Sequence, residues 1–233
     1  MQRKPIVSRR AFGAGMLGAA AGLARPAAAQ GDVELLLVLL NDGSGSIDEE
    51  EYRLQREGTA AAIEHPHVLR AMRGSLAVAY GEWGSPGGAQ LLLPWTRIAN
   101  AEDASEFADR LVAVPRAPQT WNAIGDALAS ATEWIRTSPF RGQRATIDLA
   151  GDGPDMRSAV PAPVARDLAL AAGITINALA IQAEGSQAFM GPRNLRQHYE
   201  DNVIGGPGAF VMTARDRNDF AHAIFNKLVR ELA

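Results

Sequence analysis

The chain has 233 residues, no cysteine, and a formal net charge of −3 from 23 basic and 26 acidic residues. Without thiols it forms neither disulfides nor thiolate metal sites, so its stability must come from its core. An acidic balance also excludes non-specific nucleic-acid binding, which needs cationic surface to replace the counterions of phosphate.

The first thirty residues read as an export leader rather than as part of a fold. They have a basic start, a weakly apolar Gly- and Ala-rich stretch, and an Ala-Ala-Ala cleavage pattern. Ser8-Arg9-Arg10-Ala11-Phe12 adds the twin-arginine pattern that directs export of folded proteins. Arg25 and Pro26 interrupt the apolar stretch short of the about 18–20 residues a membrane span requires, so no stable anchor is expected once the leader is cut. Cleavage after Ala29 leaves residues 30–233, a length suited to one domain. That remainder is more acidic than the whole, because the leader holds Arg3, Lys4, Arg9, Arg10 and Arg25 and no acid.

After the leader, strand-like and helix-like segments alternate. Val33–Leu40 is a continuous apolar run, the pattern of a strand covered on both faces. Asp48 to Ile63 reads as a helix with acids in its first turn and Tyr52, Gln55 and Thr59 near one face. His65 and His67, flanking Pro66, fall in an expected loop at its end. Ser75–Trp83 and Gln90–Trp95 read as strands joined by Gly84-Ser85-Pro86-Gly87-Gly88, too short a link for anything but an antiparallel hairpin. Ala104–Val114 and Ala123–Arg136 read as helices, and Trp134 of the second is expected in the core. Arg144–Ala150 is a strand, Val160–Ala172 a helix, Ile174–Ile181 a strand. Phe189–Tyr199 reads as a helix, Ala209–Met212 as a short strand, and Asp216–Leu232 as a closing amphipathic helix. This alternation predicts a doubly wound α/β domain: a mostly parallel central sheet, helices on both faces, and one antiparallel edge hairpin.

In such sheets ligands collect at the carboxyl ends of the strands. Asp42, Ser44 and Ser46 follow the first strand, Asp152 follows the fourth, and Asn122 opens the helix after Pro118-Gln119-Thr120-Trp121. Two carboxylates, two hydroxyls and an amide are hard oxygen donors with no His or Cys beside them. Such a set suits Mg²⁺ or Mn²⁺, Ca²⁺ less well, and argues against zinc or copper. Gly43 and Gly45 let the loop curl so that alternate residues face one point. With only two acids, a bound divalent ion keeps positive character and an exchangeable position for an outside carboxylate.

These residues resemble the von Willebrand factor type A domain. The carriers are Asp-x-Ser-x-Ser after an apolar strand, a Thr-type position before a later helix, and Gly-Asp-Gly after the fourth strand. More narrowly, DGSGSID, YGEW, LPWT, AIGDAL, IDLAGDGPD, AAGITINALAI and VIGGPGAF are similar to an exported bacterial subfamily of that fold with no assigned function. The resemblance implies a metal-ion-dependent adhesion site in which Asp42, Ser44 and Ser46 match the first loop and Asp152 the later Asp. Asn122 stands where the family carries Thr, with Thr120 two residues earlier as the other candidate, and Asn41 stands where an apolar residue is usual. The implied function is recognition of a protein partner that offers an Asp or Glu carboxylate to the ion, in the periplasm or outside the cell. No catalysis is implied.

Plainer accounts exist for each feature. Ser44 and Ser46 could cap the next helix while Asp42 closes a turn. Asp148 reads as a satisfied polar residue within a strand, Asp155 as either a neighbour of the site or a solvated acid, and His198 and His222 as surface residues. Trp121 could either contact a ligand or pack on neighbouring loops. Gly43-Ser44-Gly45 lacks the third glycine of a dinucleotide loop, and no Gly-Lys-Ser phosphate loop occurs. Ser44 lacks a nucleophile elbow and a His partner. Two competing functions remain: a metal-assisted hydrolase, and a structural domain that has lost its ion through Asn122.

Overall fold

The structure, a computed structural model, describes residues 31–181, 194–215 and 219–232, so the segment expected to be a leader lies outside the described residues. Its strands are β1 (Gly31–Asp42), β2 (Leu76–Trp83), β3 (Gln90–Ile98), β4 (Phe140–Gly151), β5 (Thr175–Ile181) and β6 (Val211–Ala214). They form a six-stranded sheet in the order β3-β2-β1-β4-β5-β6. Every neighbouring pair is parallel except β2 and β3, the expected hairpin. The α/β prediction holds.

The helices are α1 (Glu49–Glu64), α2 (Pro66–Ala71), α3 (Ala101–Ala113), α4 (Ile124–Arg136), α5 (Ala162–Ala171), α6 (Leu195–Asn202) and α7 (Phe220–Leu232). They cover both faces. Leu35, Leu37 and Leu39 of β1 enter one apolar cluster with residues of α1, α2, α3 and α7. Val38 and Leu40 enter the other with residues of α4, α5 and α6. This two-sided burial is why β1 reads as an unbroken apolar run rather than an alternating one.

Element α2 corrects the expected loop at His65 and His67. Pro66 ends α1, yet it suits the first position of a new helix, and the His65 Nδ1 accepts from the His67 N–H at 3.1 Å as its cap. Helix α6 starts at Leu195, capped by Asn194; residues 189–193 of the longer expected helix lie outside the described residues, as do 216–218 before α7.

Asp148 of β4 is buried against α7, where Lys227 pairs with it and donates to Glu231 Oε1 at 2.7 Å. Asn177 of β5 donates to the same oxygen at 2.9 Å and accepts from the Phe210 N–H at 3.0 Å. Burial and then the charge of Glu231 push the Asp148 carboxyl up to about 8. In the unfolded chain it would ionise near an ordinary carboxylate value of about 3.9. Between those values the folded state binds more protons, so this group's stabilisation is complete below about pH 4 and is lost as pH rises through about 8. Asp148→Asn should flatten that slope. Urea unfolding of both proteins at a series of pH values between about 5 and 9 checks this; equal slopes would contradict it.

Candidate metal centre

The parallel pairing of β1 with β4 sets Asn41 opposite Ala150, so both strands end side by side where the strand order reverses. Asp42 closes β1, and Asp152 follows β4. Asp42 is fully buried; its Oδ1 accepts from the Ser44 N–H at 2.8 Å and its Oδ2 from the Asp152 N–H at 3.3 Å. Burial first, and then the Asp152 charge, push its pKa well above the usual carboxylate range, against the lowering by Ser44 and the backbone bonds. The Ser44 and Ser46 hydroxyls lie 2.9 Å apart, Ser44 buried and Ser46 exposed. Asp152 is half-buried.

Asn122 reaches the same point from the loop before α4. Its carbonyl accepts from the Ile124 N–H at 3.0 Å and the Met156 N–H at 2.7 Å. Its side chain lies so close to Gly153 that a Cβ there would stand 2.4 Å from Nδ2. Its Oδ1 is buried without a hydrogen-bond partner. Thr120, by contrast, is exposed, and its hydroxyl lies 3.2 Å from that of Ser85. Asp42 thus meets Ser44 and Asp152, and Asn122 packs on the loop that carries Asp152, while Thr120 has its carbonyl near Gly45 of the first loop and its hydroxyl on Ser85. Among the described residues, no group of three or more His, Cys, Asp or Glu gathers as a metal-ligand set. The carboxylate, hydroxyl and amide oxygens here are the donor types a hard cation takes, and the buried Asn122 Oδ1 is an acceptor without a partner.

The scaffold behind the first loop was not legible from motifs. Arg116, on the connection from α3 to α4, donates through Nη2 to the carbonyls of Gly43 (3.2 Å), Ser44 (3.1 Å) and Ile47 (2.7 Å). Its guanidinium lies 4.6 Å from the Tyr52 ring centroid. Beneath it Glu82 of β2 is fully buried. Its Oε1 accepts from Arg56 Nη2 at 2.6 Å, Tyr52 at 2.8 Å and Tyr80 at 3.1 Å, and its Oε2 from the Ala117 N–H at 2.8 Å. The Arg56 Nη1 donates to the Leu111 carbonyl at 3.0 Å, tying α1 to the end of α3. The available signal was charge at core-facing positions: an acid inside an apolar strand, and an arginine on the inner face of α1.

The loop after β4 is pinned as firmly. Only glycine fits at Gly151, where a Cβ would stand 2.5 Å from Trp83 Cζ2. Tyr199 of α6 donates to the Gly153 carbonyl at 3.0 Å. Asp155 is a neighbour of the site rather than a solvated acid: it accepts from the N–H groups of Gly125 (3.2 Å) and Ala162 (3.0 Å). Its own N–H donates to His198 Nε2 at 3.3 Å, so His198 takes part in the loop rather than sitting idle on a polar face. Asp126 of α4 accepts from Gly87 (2.9 Å), Ala159 (3.1 Å) and Val160 (2.9 Å). Burial works to raise the Asp126 pKa, but these three bonds outweigh it and hold the group below its ordinary value. Trp121 is 42% exposed at the rim, whereas Trp134 is half-buried against the core.

A family model described as "Protein of unknown function (DUF1194)" matches residues 32–233. No curated protein sequence matches the chain. Solved structures of similar fold include proximal thread matrix protein 1 from the mussel byssus, with a zinc-occupied MIDAS motif. It is 18% identical, with a TM-score of 0.63 over 86% of this chain and 48% of that one. The pilus adhesin SpaC from Lactobacillus rhamnosus GG is 15% identical, with a TM-score of 0.62 over 85% and 30%. The von Willebrand factor type A protein from Catenulispora acidiphila is 17% identical, with a TM-score of 0.56 over 85% and 43%. The chain spans less than half the length of each. At these identities the likeness establishes the fold, which is that of a von Willebrand factor type A domain.

Breaking a buried ion pair by neutralising one partner typically costs about 3–5 kcal/mol, because the other charge is left uncompensated. Glu82→Gln should therefore lower stability by roughly that amount in urea unfolding. A loss below about 1 kcal/mol, the worth of an exposed pair, would contradict the role given to Arg56–Glu82.

Proposed function

The chain belongs to the DUF1194 family, and we propose that it is an exported, non-enzymatic domain that holds a divalent cation and uses it to bind a protein partner. Asp42, Ser44, Ser46, Asn122 and Asp152 would hold the ion. The observation that carries this reading is the burial of Asp42 within reach of the Asp152 charge, together with the buried Asn122 Oδ1 that lacks a partner. Two adjacent acids in a buried setting repel, and a cation between them removes that cost.

The donor set suits Mg²⁺ or Mn²⁺, with Ca²⁺ less favoured for want of further carboxylates. Zinc occupies the corresponding motif in the mussel protein, so zinc belongs among the ions tested. When bound, the ion would supply a positive centre with an exchangeable position. A partner's Asp or Glu carboxylate is the group that matches it. The adhesin among the similar folds supports a binding role. A hydrolase would instead need a general base at the rim. The imidazole of His198, which touches the loop after Asp152, already accepts the Asp155 N–H. The twin-arginine leader points to the periplasm or the cell exterior.

Calorimetric titration with Mg²⁺, Mn²⁺ and Zn²⁺ tests the ion site. One equivalent of heat is expected from the wild type, and none from Asp42→Ala. No uptake by the wild type, or equal uptake by both, overturns the reading. Turnover of generic phosphate or carboxylate esters in Mg²⁺, lost in Asp42→Ala, would favour the hydrolase. Fractionation of the producing cells tests the location. Replacing Arg9 and Arg10 by Lys should hold the protein in the cytoplasm, and unchanged export would reject the twin-arginine assignment.

A further inference from the structure

The wall of the site is uneven. Where the first loop enters α1, Asp48, Glu49 and Glu50 are exposed. The second and third loops carry a different chemistry. Trp121 and Met156 are exposed there to 42% and 40%, and the Arg157 guanidinium lies 4.7 Å from the Trp121 ring centroid. These residues adjoin the proposed ligands: Trp121 precedes Asn122, and Met156 donates its N–H to the Asn122 carbonyl at 2.7 Å.

Arg157 also has an unusual backbone. Among the described residues it is the one non-glycine with positive φ, at 67°, a conformation that costs a residue bearing a Cβ. Such strain persists where the surroundings over-determine it, and it clusters at binding sites. Here the flanking residues are fixed on both sides, by Asp155 bonded to Gly125 and Ala162 and by Asp126 bonded to Ala159 and Val160. The result is an exposed cation stacked on an aromatic, on the loop that follows Asp152 and next to the residue before Asn122. Stacking occupies the face of a guanidinium and leaves its N–H edge for a carboxylate.

We propose that Trp121, Met156 and Arg157 form a second, specificity-determining subsite beside the ion. Its occupant is an acidic segment of a partner protein. One carboxylate of that segment meets the ion, a neighbouring carboxylate pairs with Arg157, and an apolar side chain lies on Trp121 and Met156. A basic segment would meet both the ion and Arg157 as like charges. The inference rests on the ion-site reading and adds to it the sequence that the partner must carry.

Short fluorescein-labelled peptides provide the probe: one series with a single Asp among glycines, another with Asp, a second acid and a Phe at separations of one to three residues. Anisotropy is measured with the full chain in Mg²⁺ and in chelator. The doubly acidic, aromatic peptides should bind about tenfold more tightly than single-Asp peptides, from one further ion pair and one aromatic contact. Arg157→Gly and Trp121→Ala should erase that preference while Mg²⁺ uptake, read by calorimetry, stays unchanged. Glycine suits the positive φ, so loss in Arg157→Gly cannot be laid to misfolding. Equal binding of the two series, absence of binding despite Mg²⁺ uptake, or a preference that survives both substitutions overturns the subsite and leaves the ion site standing. Absence of uptake of Mg²⁺, Mn²⁺ and Zn²⁺ alike overturns both.

Discussion

Two parallel strands that end side by side force two carboxylates together. Asp42 leaves β1 and Asp152 leaves β4 at the point where the sheet's strand order reverses, and Asp42 is buried completely. In water such a pair would separate or one member would take a proton. Here the backbone fixes the Asp42 carboxylate, through the Ser44 and Asp152 N–H bonds to its two oxygens. Backbone N–H groups orient the carboxylate and ease its charge only in part, because burial and Asp152 still raise its pKa. What the rest of the rim offers is neutral oxygen: Ser44, Ser46 and Asn122.

Much of the surrounding structure exists to keep that arrangement from relaxing. Arg116 gathers three carbonyls of the first loop, and the Glu82–Arg56 pair anchors α1 to the connection that carries Arg116. Asp126 and Asp155 do the same for the loops around Asn122 and Asp152 by accepting backbone N–H groups. These charges are each satisfied inside the fold. Asp42 is different, since the charged neighbour that bears on it is another acid, Asp152.

The sheet and the rim were legible because both have short-range signatures. An apolar run such as Val33–Leu40 can hardly be anything but a strand buried on both faces, and Asp-x-Ser-x-Ser is contiguous. Element α2 was missed because Pro66 signals both an end and a beginning, and six residues show no period. Arg116 was missed because its partners are backbone carbonyls about seventy positions away in sequence, for which no side-chain pattern exists. Likewise, that Asn122 packs on Gly153 while the Thr120 hydroxyl meets Ser85 follows from the path of the loop rather than from residue type.

The account stands on a cation at the meeting of three loops. Its most direct test is diffraction from crystals grown with Mn²⁺, recorded where manganese scatters anomalously. The expected result is one anomalous peak bounded by oxygens of Asp42, Ser44, Ser46, Asn122 and Asp152. Crystals in Mn²⁺ with no peak there, and with Asp42 and Asp152 as close as before, would contradict it.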